Sequence, residues 1–130
     1  MRMSVRFIVS AFIFTATACG SSSTPTYGGG GGGGGGGTPA SCTGAGASAT
    51  IDATGSLTFN PSAATIMAGQ KVCWVNNSGI AHTVTSDNSG FTGGSLPNGS
   101  TVVVTFAAAG SYPYHCSIHP ATMTGTITVQ

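Results

Sequence analysis

Four residues of this 130-residue chain have the types and spacing to hold a metal ion. Three lie together, as Cys116, His119 and Met123 in the stretch Tyr114-His115-Cys116-Ser117-Ile118-His119-Pro120-Ala121-Thr122-Met123, where a β-rich run ends. The fourth, His82, stands in a separate β-rich run, Gly79-Ile80-Ala81-His82-Thr83-Val84. A Cys-x-x-His pair alone suits several metals. Adding a second imidazole and a thioether makes a mixed, soft set, and thioether is a poor zinc ligand but suits copper in either oxidation state. A trigonal plane of two histidines and a cysteine with a weak axial methionine is an electron-transfer geometry. It lies between the preferences of Cu(I) and Cu(II), so little need move when an electron passes. The expectation is one copper ion bound by His82, Cys116, His119 and Met123. Singly, each residue has a plainer reading: a satisfied strand histidine, a buried thiol, a core methionine. The combination is what favours ligation.

Such a set needs a rigid frame. After residue 40 no 3.6-residue period is sustained, and short β-rich runs bounded by Gly, Pro, Asn and Ser follow one another. The expected strands are Ala47–Ala53, Leu57–Phe59, Thr65–Met67, Lys71–Val75, Ala81–Ser86, Thr101–Phe106, Ser111–Cys116 and Gly125–Val129. Ala68-Gly69, Asn76-Asn77-Ser78-Gly79, Asn98-Gly99 and Ala109-Gly110 read as turns. About eight short strands predict an all-β sandwich or barrel. Val102, Val104 and Phe106 share one face, Ile127 and Val129 another, and Trp74 with Val72 is expected at the centre. Met67 reads as ordinary packing. Asp87–Ser100 is expected to be a long irregular connection. By strand alternation His115 points away from Cys116, toward the surface.

The segment before residue 41 has a different composition. Arg2 and Arg6 precede the apolar run Phe7–Phe14, and small residues lead to Cys19, which is the pattern of a cleaved export signal over residues 1–18. The run is too short to be a permanent bilayer span. A cysteine at the cut resembles a bacterial lipoprotein signal, with the lipid on Cys19. Gly20 after it resembles outer-membrane sorting, placing the chain on that membrane and facing the periplasm. Residues 19–40, with ten consecutive glycines at Gly28–Gly37, read as a flexible linker with a root-mean-square reach of about 25 Å. Residues 41–130 are the expected domain, near the lower size for a single core.

Cysteine usage fits this division. With Cys19 assigned to the anchor, an oxidising exported compartment makes a Cys42–Cys73 disulfide the expectation, two buried free thiols being the alternative. Charged residues are only 4% of the chain. The domain carries Lys71 against Asp52 and Asp87, so no basic face exists for nucleic acid, and electrostatic steering toward any partner is weak.

The segments Lys71–Ser86, KVCWVNNSGIAHTVTS, and Gly110–Val129, GSYPYHCSIHPATMTGTITV, resemble the plastocyanin/azurin family of cupredoxins. The likeness covers most of residues 56–130, including the Asn-Asn turn before the first candidate ligand and the Gly-x-Tyr-x-Tyr-x-Cys approach to the second. It implies a Greek-key sandwich of eight strands, a mononuclear type 1 copper site with His82, Cys116, His119 and Met123 as ligands in order, and one-electron transfer. Three residues separate His119 from Met123, where related members often have a shorter or longer gap. Thr83 resembles a family position that hydrogen-bonds near the cysteine sulfur. Pro120 and Ala121 beside His119 are candidates for an apolar docking patch, with the redox partner unidentified.

The function expected is therefore an exported, membrane-tethered, monomeric electron carrier and not an enzyme, since four protein ligands leave no open coordination position. A copper-binding or copper-delivery protein without a redox role is the alternative. Exposed Met/His-rich clusters would mark it, and the chain has none.

Overall fold

The computed structural model describes residues 39–130. The export signal, Cys19 and the glycine run fall outside the described residues. Within them the chain forms nine strands and no helix: β1 (Ala49–Ala53), β2 (Phe59–Asn60), β3 (Ala63–Ile66), β4 (Lys71–Asn76), β5 (His82–Ser86), β6 (Gly94–Leu96), β7 (Ser100–Thr105), β8 (Gly110–His115) and β9 (Thr124–Val129). One sheet has the order β2-β1-β4-β7, the other β3-β9-β8-β5-β6. The β1–β4 and β3–β9 pairs are parallel and the rest antiparallel, consistent with the Greek-key sandwich that the family resemblance implies, with nine strands rather than eight.

Alternation explains most of the core. Val104 and Phe106 are buried and Val102 half-buried, while Val103 between them is 44% exposed. Ile127 and Val129 face inward from β9. Trp74 is the centre: its ring meets Tyr114 edge-on at 5.3 Å, stacks near Phe91 at 6.0 Å and approaches Phe106 at 6.5 Å. Trp74 Nε1 and Tyr114 Oη are buried without a hydrogen-bond partner among the described residues, and burial pushes the Tyr114 phenol up to about 12. The phenol end lies so close over its cross-strand partner Gly125 that a Cβ there would stand 2.4 Å from Tyr114 Oη and 2.8 Å from the Ser62 carbonyl. Only glycine lets β9 run under this ring.

β4 departs from alternation, since every residue from Val72 to Asn76 is buried. Val72 and Trp74 face the sandwich interior. Cys73 and Val75 face outward, where the incoming chain runs along the sheet. Ala40 exchanges two hydrogen bonds with the Asn77 side chain, at 2.8 and 3.0 Å. Cys42 is disulfide-bonded to Cys73, with Cα atoms 6.0 Å apart. Ser48 N–H then donates to the Lys71 carbonyl, and β1 begins.

Three local expectations are corrected. The stretch Asp87–Ser100 is not wholly irregular: Gly94–Leu96 forms β6 against His82–Val84, and Phe91 packs on the core. Gly-Ser-Leu has no strand signature of its own, so this strand exists only because β5 offers it a partner edge. Leu57 has φ +58°, a turn conformation, so the second strand starts only at Phe59. Met67 does not pack but is 57% exposed, because its turn projects beyond the sheets.

The disulfide spans 31 residues of chain, and closing a loop of that size removes unfolded-state entropy worth about 3–4 kcal/mol. The paired Cys42→Ala, Cys73→Ala variant should lose about that much in urea unfolding. A loss under about 1 kcal/mol would mean that the covering segment holds β4 without its cross-link.

Candidate metal centre

The site forms where β5 and β8 part company. The two strands are paired at Thr85–His115 and Ser86–Tyr114. The same register would place Val84 opposite Cys116 and then Thr83 opposite Ser117, but there side chains replace the ladder. Ser117 N–H donates to Thr83 Oγ1 at 2.7 Å, the Thr83 and Ser117 hydroxyls are 3.0 Å apart, and Thr83 N–H donates to Cys116 Sγ at 3.3 Å. On its other edge β5 pairs with β6, His82 lying opposite Leu96. The divergence opens a gap between the two sheets' ends, and Cys116 and His82 both line it.

The loop joining β8 to β9 closes back on itself. Cys116 N–H donates to the Met123 carbonyl, continuing the β8–β9 ladder by one step. His119 N–H donates to the Cys116 carbonyl, and Thr122 and Met123 N–H groups both donate to the His119 carbonyl. Two successive tight turns thus fix His119 over Cys116. His82 Nδ1 stands 3.9 Å and His119 Nδ1 3.6 Å from Cys116 Sγ, and the three donor atoms lie within 4.8 Å of one another. At roughly 2.0 Å to nitrogen and 2.3 Å to sulfur, a trigonal plane around a first-row ion separates neighbouring donors by roughly 3.7 Å. The residues fit such an ion. Cys116 is fully buried and is the sole free cysteine among the described residues.

Met123 is brought into the same loop through its backbone, and its side chain is fully buried in the core cluster that includes Cys116. His82 is fully buried and His119 half-buried. Burial, then the neighbouring His119, hold His82 below its ordinary value of 6.5, against the Thr54 backbone, which acts the other way. The ring is therefore neutral near pH 7, as a metal ligand must be. His115 lies on the other side of β8, half-exposed and in contact with Asp87. Beside His119 in its loop, Ile118 is 52% exposed and Pro120 and Ala121 are exposed, while Ile80, two residues before His82, is 41% exposed.

By sequence Asn76-Asn77-Ser78-Gly79 reads only as a turn. The structure shows that Ser78 Oγ contacts His82 Nε2 at 3.1 Å and that Asn76 is fully buried. The available signal was two amide residues and a serine within six residues of a candidate ligand.

Comparisons with known proteins point the same way. A family model described as copper binding proteins, plastocyanin/azurin family, matches residues 45–130. The plastocyanin of Scenedesmus fuscus is 40% identical over 89 residues, covering 59% of this chain and 91% of that protein. The plastocyanin of Rumex obtusifolius is 34% identical over 90 residues, covering 58% and 91%. Among solved structures, a purple cupredoxin from Nitrosopumilus maritimus superimposes with a TM-score of 0.55 at 25% identity, over 63% of this chain and 99% of that one. A reduced amicyanin shares the fold, with a TM-score of 0.60 at 24% identity over 72% and 92% of the two chains.

The lowered His82 value carries a stability consequence. Between it and 6.5 the unfolded chain takes up a proton that the folded protein refuses. This contribution is thus whole above about pH 6.5 and declines as pH falls through the folded value. The thermal midpoint of the copper-free protein should drop on going from about pH 7 to about pH 5, and His82→Gln should flatten that slope. An unchanged midpoint in the parent protein would contradict a neutral, buried ring.

Proposed function

The chain belongs to the plastocyanin/azurin family of copper-binding proteins, and on that premise we propose that it carries single electrons on one copper ion, which His82, Cys116, His119 and Met123 would hold. The observation that carries this reading is the convergence of the Cys116 sulfur with two imidazole nitrogens in a buried gap. Bound there, copper supplies a one-electron Cu(I)/Cu(II) couple. Electron carriage is further supported by the similarity to plastocyanins.

The residues divide the work. Thr83 N–H, aimed at Cys116 Sγ, stabilises negative charge on the sulfur and so bears on the potential. Short turn bonds hold His119, and sheet pairing holds His82, so the donors are placed before any ion arrives. His119 is the candidate ligand that reaches solvent, and the exposed Ile80, Ile118, Pro120 and Ala121 around it make an apolar surface against which a redox protein would dock. Four side-chain ligands leave no position for a substrate, which favours a carrier over a catalyst.

The setting is part of the proposal. Residues 1–18 followed by Cys19 support an exported lipoprotein, tethered through residues 19–40 and monomeric, at a bacterial membrane and facing the periplasm if an outer membrane is present. The charge content supports a protein rather than a nucleic acid as partner.

Two measurements test this reading. Copper-loaded protein should show an intense visible thiolate-to-copper band that Cys116→Ser abolishes, and reduction should be reversible with the metal retained. Colour surviving in Cys116→Ser would refute the ligand set, and copper lost at each reduction would point to delivery instead. With so few charges near the docking surface, electron exchange with a redox protein should vary little with ionic strength. A steep fall with added salt would instead reveal a steered, charge-matched encounter.

A further inference from the structure

Four strands form the open edges of the two sheets: β2 and β7 in one, β3 and β6 in the other. Three of them are short. β2 has two residues and runs into Pro61, β6 has three and runs into Pro97, and β3 has four. β7 has six residues and contains no charge, proline or glycine, so it lacks the devices that keep a strand edge from pairing.

The phase of the β4–β7 ladder decides which backbone groups of β7 are free. Phe106 N–H donates to the Gln70 carbonyl, and the same register sets Val104 opposite Val72 and Val102 opposite Trp74. Bond-exchanging pairs alternate along an antiparallel ladder, so Val102 and Val104 bond β4. The N–H and C=O groups of Thr101, Val103 and Thr105 therefore point off the sheet. β4 agrees with this phase, because the Lys71 carbonyl turns the other way, to Ser48 N–H. No further strand lies beyond β7 among the described residues.

Residues 101–105 read Thr-Val-Val-Val-Thr, the same in both directions. A second copy laid antiparallel on this edge, with a twofold axis at Val103, sets Thr101 opposite the second copy's Thr105, Val102 opposite its Val104 and Val103 opposite its Val103. Every outward backbone group is then bonded, and like side chains meet on both faces as Thr–Thr and Val–Val pairs. Val102, only half-buried at the open edge, gains cover. Charge does not oppose the contact. Lys71, one strand in from the edge beside Thr105, would stand about 20 Å from its copy by strand spacing and rise, beyond the screening length of about 8 Å at physiological salt.

We propose that β7 is a self-complementary docking edge through which two copies of this chain pair, joining their four-stranded sheets into one. The contact is one strand wide, smaller than a stable interface needs. The carrier is accordingly monomeric when dilute and pairs at concentrations on the order of 0.1–1 mM. Antiparallel pairing points the two Asn76–Ser100 ends, which adjoin the metal centre, in opposite directions and so keeps the two candidate copper sites apart.

Sedimentation equilibrium of the full chain, with and without copper, tests the proposal on the parent, Val103→Lys, Val103→Glu and an equimolar mixture of the two variants. Val103 is 44% exposed on the outer face, and the twofold axis sets each introduced charge against its own copy. Each variant alone should associate at least about tenfold more weakly than the parent, while the mixture should recover pairing. Met67→Lys, at a position 57% exposed but off the strand, should associate like the parent. A parent still monomeric at about 1 mM, a position-103 variant that associates as the parent does, a mixture that stays monomeric, or a Met67→Lys protein that no longer pairs would each overturn the proposal. Should the position-103 variants fail to fold, amide spectra of the parent decide. The Thr101, Val103 and Thr105 signals should shift as the protein is concentrated, and shifts confined to other residues would refute the edge. Neither readout needs copper, so a failed pairing leaves the electron-carrier reading standing, and a failed copper site leaves the pairing standing.

Discussion

The copper end of this protein depends on one constraint: β5, which lies between β8 and β6, pairs with β8 for only two residues, Thr85 and Ser86, before that ladder stops. Had the ladder continued, Thr83 and Ser117 would have satisfied each other through backbone bonds, leaving no gap. The strands separate instead, and the Thr83 side chain supplies the bond that the backbone gives up. Its own N–H is freed for Cys116 Sγ. On the other edge of β5, His82 lies opposite Leu96, whose carbonyl accepts from Asn76 Nδ2.

Around that gap the remaining structure acts as a clamp. The aromatic cluster of Trp74, Tyr114, Phe91 and Phe106 fills the sandwich behind it, and Tyr114 is held over Gly125 only two residues from Cys116. On the outer side, the segment from Ala40 to Ser48 covers β4 and is tied down by the disulfide. β4 leads directly into Asn76. The covering segment therefore stiffens the turn that backs His82 as well as the sheet. A site that changes oxidation state with little movement needs such a surround, since mobile donors would add reorganisation to every electron transferred.

Function follows from what this frame leaves outside. The domain's formal charges are Lys71, Asp52 and Asp87, and the surface around His119 is apolar. Such a surface favours short-lived contact through shape and desolvation rather than attraction at a distance.

What the sequence alone determined about this protein is the chemistry and the class of fold. Ligand types are a property of side chains, and period-two runs such as Val102-Val103-Val104-Thr105-Phe106 report an inward and an outward face directly. So His82, Cys116 and His119, which the fold brings together, stand out in the sequence as a soft donor set, and an oxidising compartment already favours pairing Cys42 with Cys73. Tertiary structure decided the features whose cause lies far along the chain. β6 exists because β5 presents an edge, although Gly-Ser-Leu carries no strand signal. Leu57 is a turn residue and Met67 is exposed, although both are apolar. Ser78 meets His82 only because Asn76, its hydrogen-bond partner, is anchored across the sandwich to Leu96. Local sequence encodes which atoms a residue offers, whereas the partner that fixes their direction is chosen by packing between segments ten or more residues apart.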